Sequence, residues 1–340
     1  MINFLKRQVR INDPEIIDKE LISNELQTGS HVIVQFSEAN YNSLLLDELN
    51  ELCIKYDDSF AIRFFGHYNS TFNCNELLKI PNVKSLYIDC LQDAENLEAI
   101  TSLKELKMVS IDIFNLDNPE ILKSENFKML RVLIISGTKK SINLDYLKEY
   151  RELNALIISG KTRNIDSIGD VVNLEFLSLN SISGSSLSFV NRLKKLKTLK
   201  IILGGRENIN EIKENYIETL EIIRVKGLSD LDSLNRFMGL RNLLIEDQIQ
   251  IFKINLQINL NKLVDLKLLN CKQLNSLTGL ENLRSINQIR IYKTDIDFNS
   301  LINEPLPKTL KIFGFYTTKA KVDKEIEKTL INSGYRLTSF

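Results

Sequence analysis

A short apolar phrase returns at a nearly constant interval through most of this 340-residue chain. It reads VKSLYI at its first clear copy, LKTLKI near the middle and PKTLKI at the last. The central apolar residues of its eleven copies are Leu86, Leu106, Leu133, Leu156, Leu177, Leu199, Leu220, Leu243, Leu266, Ile289 and Leu310. Steps between neighbouring copies range from 20 to 27 residues. Self-similarity at such a period is typical of a stacked array of repeats, not of a fold around one central pocket.

Each copy of the phrase predicts a strand followed by a helical return. The stretch Leu199–Lys200–Ile201 alternates apolar and polar residues with period two, as a half-buried strand does. After the strands the apolar spacing changes to three, for example at Leu228, Leu231 and Leu234. That spacing suits 3₁₀ turns or short helices with one buried face. Because no single repeat can bury its apolar face alone, the repeats must stack, and we expect one elongated domain.

Charge and length exclude several classes of partner. The 44 lysines and arginines balance the 44 aspartates and glutamates, so we expect neither nucleic acid nor a membrane as partner. No apolar run approaches the roughly 20 residues of a membrane span. The N-terminal sequence MINFLKRQVRINDPE lacks the apolar core of a secretion signal. We therefore predict a cytoplasmic, monomeric protein whose four cysteines are reduced and buried.

The phrase LxxLxLxx followed by spaced leucines resembles the leucine-rich repeat family, and is nearest to the bacterial 22-residue, internalin-like type. The resemblance covers about residues 83–315. It implies an α/β solenoid, a horseshoe with a parallel concave sheet and a convex side of 3₁₀ turns and short helices. We expect about 11–12 repeats plus caps.

We count repeat positions so that the central apolar residue of each copy is the fourth. The sequence departs from that family at the ninth position of the repeat, where asparagine normally satisfies backbone groups. Here the position reads Leu91, Ile111, Thr138, Lys161, Ile182, Gly204, Val225, Gln248, Cys271, Thr294 and Phe315. Only Thr138, Gln248, Cys271 and Thr294 could replace asparagine chemically. The pattern is thus a degenerate one that lacks the asparagine ladder. The 27-residue step from Leu106 to Leu133 is expected to bulge from the array.

Both ends of an open array expose apolar edges and need caps. We assign residues 1–80 to an N-terminal cap, 81–318 to the repeat array and 319–340 to a C-terminal cap. The N-terminal cap is predicted as a strand at 30–36, a helix at 43–56 and a strand from Phe60 to Phe65 that leads into the array. The C-terminal cap is predicted as a helix at 320–333 and a strand from Tyr335 to Phe340. Residues 1–25 are compatible with a helix packed on the cap and with partial disorder.

Residues that could carry chemistry are few. The chain has two histidines, His31 and His67, and neither belongs to a metal-ligand or catalytic motif. Gly204–Gly205 has the composition of a phosphate loop, but GK[ST] does not follow it, so it is interpreted as a repeat turn. The serine-rich stretch 181–188 is interpreted in the same way. We therefore predict no enzymatic activity, no catalytic residues, no cofactor and no metal.

A partner is expected on the concave face, where the fifth and seventh repeat positions point outward. This expectation comes from the fold resemblance, since family members commonly bind proteins there. Several of these positions are apolar although an uncovered strand face should be polar, and lysine and arginine flank them. The predicted partner-binding residues are Tyr87, Ile134, Ile157, Phe176, Lys200, Ile202, Ile223, Leu244, Lys267, Leu269, Arg290, Tyr292, Lys311 and Phe313. The competing interpretation is that β-branched residues simply favour strands.

The sequence favours a non-catalytic scaffold that binds a protein partner of unknown identity. Three alternatives stay open at this point. The chain could be an immunity protein that neutralises a bacterial toxin, a secreted or surface adhesin, or the regulatory subunit of an enzyme. A signal peptide would favour the adhesin, and a neighbouring toxin gene would favour the immunity protein.

Overall fold

The computed structural model describes residues 6–338. The chain forms two compact units, Met1–Leu174 and Glu175–Phe340. In both units nearly every repeat contributes one strand to a parallel sheet and returns through 3₁₀ turns or a short helix.

The first unit contains eleven strands and three α-helices among its described residues. The strands are β1 Gln8–Asn12, β2 His31–Ser37, β3 Phe60–Phe65, β4 Thr71–Asn73, β5 Ser85–Leu91, β6 Asp93–Glu95, β7 Met108–Ile113, β8 Val132–Ser136, β9 Ile142–Asn143, β10 Ala155–Ser159 and β11 Thr162–Arg163. The helices are α1 Lys19–Gln27, α2 Ser43–Lys55 and α3 Glu98–Ser102. The 3₁₀ segments are Cys74–Lys79, Ile121–Lys123, Glu125–Met129, Asp145–Glu149 and Ile165–Asp170.

The main sheet of the first unit runs in the order β1-β2-β3-β5-β7-β8-β10, and each of these pairings is parallel. The short strands form two separate two-stranded sheets, β4 with β6 and β9 with β11. Parallel neighbours need a crossover between them, and here the 3₁₀ turns and short helices supply it.

The second unit contains ten strands and two α-helices among its described residues. The strands are β12 Phe176–Asn180, β13 Thr198–Ile202, β14 Thr219–Ile223, β15 Asn242–Glu246, β16 Lys253–Asn255, β17 Asp265–Leu269, β18 Ser276–Thr278, β19 Gln288–Tyr292, β20 Ile312–Tyr316 and β21 Arg336–Leu337. The helices are α4 Phe298–Asn303 and α5 Ala320–Asn332. The 3₁₀ segments are Ser188–Arg192, Asp232–Arg236, Ile258–Leu260 and Leu280–Asn282.

The main sheet of the second unit runs β12-β13-β14-β15-β17-β19-β20-β21, again with parallel pairings. Its core consists of rows in which equivalent residues of successive repeats lie opposite each other. One row holds Leu199, Leu220, Leu243 and Leu266, each at most 1% exposed. Burying a leucine contributes roughly 1.5–3 kcal/mol, so these rows carry most of the stability of the stack.

This architecture confirms the predicted leucine-rich repeat solenoid. The predicted strand at Phe60–Phe65 is present with those bounds, and the predicted helices correspond to α2 and α5. In the described part of 1–25, the helix α1 begins only at Lys19, and the edge strand β1 was not predicted. Residues 339 and 340 of the predicted last strand lie outside the described residues. The assignment of 1–80, 81–318 and 319–340 to cap, array and cap stays a prediction.

Two repeats are shifted by three residues from the predicted register. Val109, not Leu106, lies opposite both Leu86 and Leu133, and Leu106 precedes the strand. Likewise Phe313, not Leu310, lies opposite Ile289. The predicted 27-residue step is therefore wrong, because the step that ends at Leu133 begins at Val109 and is close in length to the others.

The turn after each strand is set by the stack as much as by the local sequence. At the eighth repeat position, Leu203, Arg224, Asp247, Asn270 and Lys293 all have φ between 51° and 59°, the left-handed region. Side chains other than glycine enter this region at a cost of about 1–2 kcal/mol. The same conformation in five successive repeats therefore indicates that packing between neighbours imposes it.

Three of the four residues proposed as asparagine substitutes bind backbone carbonyls, whereas the buried Thr294 Oγ1 has no hydrogen-bond partner among the described residues. Thr138 Oγ1 donates to the Lys140 carbonyl at 2.9 Å, and Gln248 Nε2 donates to the Glu246 carbonyl at 2.8 Å. Cys271 Sγ donates to the Leu269 carbonyl at 3.5 Å. These side chains satisfy turn carbonyls in place of the missing asparagines.

Candidate functional site

The outward face of the second unit is formed by alternate residues of its strands, opposite to the core rows. The fifth-position row reads Ser178, Lys200, Glu221, Leu244, Lys267, Arg290 and Gly314. The seventh-position row reads Asn180, Ile202, Ile223, Glu246, Leu269, Tyr292 and Tyr316. Period-two alternation places these side chains on the face away from the core.

Four aliphatic side chains form what we call the aliphatic patch: Ile202, Ile223, Leu244 and Leu269. Ile202 lies directly opposite Ile223 on the neighbouring strand. Leu244 lies opposite Glu221 and Lys267, in the adjacent row. All four are half-buried, so each keeps apolar surface in contact with solvent. Strand alternation places all four on this face, and their role in binding a partner stays a prediction.

The charges beside the aliphatic patch are paired, which differs from the basic rim predicted from sequence. Lys200 Nζ lies 2.8 Å from Glu221 Oε2. Lys267 Nζ lies 3.0 Å from Asp265 Oδ2. Lys200 also lies above the ring of Phe176, 5.7 Å from its centroid. Because the carboxylates offset the lysines, the face presents an apolar patch beside ion pairs and not a basic surface.

Four predicted contact residues are buried and are not available to a partner as they stand. Phe313 is fully buried because the three-residue shift places it in the core row with Ile289. Tyr292 and Phe176 are 3% and 4% exposed. Tyr87 is 8% exposed, and its Oη lies 3.4 Å from His31 Nε2.

The shift also removes Lys311 from the fifth-position row. Gly314 occupies that place opposite Arg290, while Lys311 lies before the strand and is exposed. In the first unit Ile134 and Ile157 lie opposite each other and are half-buried, as predicted. Phe176 lies opposite Thr198, at the third repeat position and not at the fifth.

Sequence reasoning missed a polar cluster on the outward face of the first unit. Arg63 Nε donates to Asp89 Oδ1 at 2.7 Å, and Arg63 Nη1 donates to Gln35 Oε1 at 3.0 Å. Gln35 Nε2 in turn donates to Asn12 Oδ1 at 2.6 Å, and the Arg63 guanidinium stacks 4.4 Å from the centroid of the Phe65 ring. An arginine inside the apolar strand FAIRFF was the only sequence signal for this network.

Burial raises the pKa of the Asp89 carboxyl, and the negative charge of Asp112 adds to the increase. The Arg63 guanidinium opposes the shift. The arginine and aspartate side chains are 14% and 15% exposed, so the pair is largely desolvated. A buried pair of this kind fixes local geometry more than it adds net stability.

The histidines have structural surroundings. Burial lowers the pKa of His31 to about 4, and it lowers the pKa of His67 as well. His67 Nδ1 lies 2.9 Å from Ser70 Oγ. Within residues 6–338, no three His, Cys, Asp or Glu side chains come together as metal ligands. Among the same residues, no helix is both long and apolar enough to cross a bilayer.

Comparisons with known proteins yield structural similarity alone. No family model and no curated protein sequence matches this chain. An internalin (inlF) from Listeria monocytogenes aligns over 98% of this chain and 86% of its own, at 13% identity and a TM-score of 0.46. Internalin C2 of the same species covers 86% of this chain and 89% of its own, at 13% identity and a TM-score of 0.37. A chain of the Toll–Spätzle complex of Drosophila aligns over 88% of this chain and 47% of its own, at 13% identity and a TM-score of 0.44.

Proposed function

We propose that this chain is a non-catalytic scaffold that binds a folded protein partner on the outward face of its second unit. The observation that carries the proposal is the aliphatic patch of Ile202, Ile223, Leu244 and Leu269, which keeps apolar surface exposed beside ion pairs. Apolar anchors surrounded by charged and polar groups are the usual composition of a protein-binding surface.

The chemistry of the face favours a partner that presents both apolar and charged side chains. The two ion pairs of this face are within 3.0 Å, so each could be exchanged for a pair with the partner at little net cost. Glu246 lies between Ile223 and Leu269 in the seventh-position row. A cationic side chain of the partner would be complementary to it. Neutral overall charge makes salt-dependent, non-specific attachment to polyanions a poor alternative.

The proposal is tested by capturing partners from the native host and identifying them by mass spectrometry. The variants Ile223→Glu and Leu244→Glu place a carboxylate in the patch, and each should weaken binding of the captured partner at least tenfold. Ile258→Glu is the matched control, because Ile258 is 55% exposed within a 3₁₀ return. Circular dichroism and thermal melts establish that all three variants are folded. Full retention of the partner by both patch variants contradicts the proposed site.

The narrower alternatives, an immunity protein, an adhesin and an enzyme regulatory subunit, draw no support from any geometry among the described residues. Cytoplasmic location and a monomeric state remain part of the proposal. Cell fractionation and light scattering test them.

A further inference from the structure

An aromatic side chain lies directly beside the aliphatic patch but is out of reach of a partner. Tyr292 lies opposite Leu269 in the seventh-position row, and Tyr316 follows it in the same row. Tyr316 is 43% exposed, whereas Tyr292 is only 3% exposed. Tyrosine is among the residues that contribute most to protein interfaces when it is accessible. The patch therefore ends at a side chain that would extend it if the side chain were uncovered.

The C-terminal segment covers this side chain. The Tyr292 hydroxyl donates a hydrogen bond to the Thr338 carbonyl at 3.2 Å. The Tyr292 oxygen and Thr338 Cγ2 lie 2.6 and 2.8 Å from the place that a Cβ would take on Gly314. The two side chains therefore meet over the same glycine of β20. We call residues Tyr335–Thr338, which place Thr338 over the ring, the cover.

Few contacts hold the cover on the sheet. Its strand β21 has two residues, which pair with the first two residues of β20. The amides of Arg336 and Thr338 donate to the carbonyls of Lys311 and Phe313 at 2.9 and 3.4 Å. All four residues of the cover are half-buried or exposed, and none is buried. Segments with little buried apolar surface open locally at a lower free energy than the core does.

The helix before the cover is anchored more firmly, and a glycine separates the two. Ile326 and Leu330 of α5 are 0% and 1% exposed. Gly334 follows the helix with φ of 87°, and a Cβ built on it would meet no atom within 4 Å. A glycine in open space changes its backbone conformation at little steric cost. The cover can therefore swing away at Gly334 while α5 stays packed.

We propose that the cover is an autoinhibitory segment, which shields Tyr292 in the free protein and is displaced when a protein partner binds the aliphatic patch. Tyr292 then joins Leu269 in the contact. The inference rests on the proposed function, because it concerns access to the same face. Opening the cover consumes part of the binding free energy, so the apparent affinity is reduced by the fraction of molecules that are open.

Native-state hydrogen exchange of the full chain tests the opening without any partner. The amide of Arg336 should exchange at least about a hundredfold faster than the amide of Leu220, which lies in the central strand β14. Low concentrations of denaturant should accelerate exchange at Leu220 more than at Arg336, because local opening exposes little surface. An equal free energy of exchange at both amides would show that the cover opens only when the whole unit unfolds, and would overturn the proposal.

A disulfide that fixes the cover tests its effect on binding. Ile312 and Arg336 are paired residues of β20 and β21, half-buried and exposed respectively. Neighbouring strands lie about 4.8 Å apart, which is within the range of a disulfide. The double variant Ile312→Cys/Arg336→Cys is made in a Cys90→Ser background, because Cys90 is the native cysteine that is not buried. The partner captured from the native host should bind the oxidised form about tenfold more weakly than the reduced form.

A second variant should shift binding in the opposite direction. The ring of Tyr335 packs edge-on against Phe313, with centroids 6.4 Å apart, so Tyr335→Ala should loosen the cover. It should accelerate exchange at Arg336 and strengthen partner binding about threefold. Tyr216→Ala is the matched control, because Tyr216 is a 70% exposed tyrosine of the same unit. The control should leave both measurements unchanged.

The outcomes separate this inference from the proposed function. Equal affinity of the oxidised and reduced forms, with weakened binding of Ile223→Glu and Leu244→Glu, would overturn the cover and leave the proposed function standing. Full retention of the partner by both of those patch variants would overturn the proposed function and this inference with it. Weaker binding of the oxidised form together with weaker binding of the patch variants supports both.

Discussion

The phenolic Oη of Tyr292 donates a hydrogen bond to the backbone carbonyl of Thr338, 3.2 Å away. The ring of Tyr292 reaches this carbonyl across β20, where Gly314 leaves room for it. A Cβ at Gly314 would lie 2.6 Å from the Tyr292 oxygen and 2.8 Å from Thr338 Cγ2. The C-terminal segment is thereby attached to a strand two places away, and this attachment explains the burial of Tyr292.

Replacing Tyr292 with phenylalanine should therefore destabilise the second unit although the residue lies on the outward face. The variant loses the hydrogen bond to Thr338 and should lower the free energy of unfolding by about 0.5–1.5 kcal/mol. Urea denaturation measures the difference. Tyr316→Phe is the control, because Tyr316 occupies the same row but is 43% exposed. Equal stability of the two variants would show that the Thr338 contact contributes nothing.

His31 should make the protein less stable in mild acid. Burial lowers its pKa to about 4 in the folded state, against about 6.5 in the unfolded chain. As the pH falls from 6.5 to 4 the unfolded state binds the proton first, so stability is present above pH 6.5 and is lost in this window. Between pH 7 and pH 5 the loss should be about 2 kcal/mol. Urea denaturation at both pH values measures it. In His31→Gln the loss of stability between pH 7 and pH 5 should be smaller by about 2 kcal/mol. A pH dependence equal to that of the unmodified protein would contradict the assignment of this loss to His31.

The four cysteines should differ sharply in reactivity. Burial raises the pKa of Cys53 and Cys74 to about 12 and that of Cys271 to about 11, and all three side chains are buried. Cys90 is only half-buried, although sequence analysis predicted that all four cysteines are buried. Since the thiolate is the reactive form, a thiol reagent should label one cysteine in the folded protein. Cys90→Ser should remove that labelling, and rapid modification of a second site would contradict the described burial.

Two glycines with the same backbone conformation should respond differently to alanine. Gly279 and Gly160 have φ of 83° and 91°, so both substitutions incur conformational strain of about 1–2 kcal/mol. At Gly279 the new Cβ would also lie 1.9 Å from the Leu256 carbonyl oxygen, whereas at Gly160 it would meet no atom within 4 Å. Gly279→Ala should therefore melt lower than Gly160→Ala. Equal melting temperatures of the two variants would show that the Leu256 contact adjusts freely.

The repeat period was sufficient to predict the fold, because every copy of the apolar phrase has to bury the same face of its strand. The predicted register was wrong where two stretches with strand-like patterns, LKELKM and MVSIDI, follow each other and share Met108. Only the pairing with the neighbouring strand identifies Val109 as the core residue. A uniform step would have favoured Val109, since it stands almost midway between Leu86 and Leu133 in the chain. The same reasoning does not select Phe313, because the step of 21 residues from Ile289 to Leu310 is as regular as the step of 24 residues to Phe313.

Strand alternation in the sequence predicts on which side of the sheet a residue lies, but not whether that residue is accessible. Alternation placed Ile202, Ile223 and Leu244 on the outward face correctly. It could not show that Tyr292 is covered, because the covering residue, Thr338, is 46 positions away in the chain. The pairing of Lys200 with Glu221 likewise depends on two strands being adjacent. Contacts between distant segments decided which outward residues remain accessible.

Along every main strand, residues that hold the stack together alternate with residues that face outward. Under the proposed function, a change at Leu244 would alter partner recognition, while Leu243 and Ile245 beside it continue to fill the core. The surface chemistry and the folded state therefore depend on alternate residues of the same strand. Substitutions at the half-buried outward positions can change the first with little loss of thermal stability.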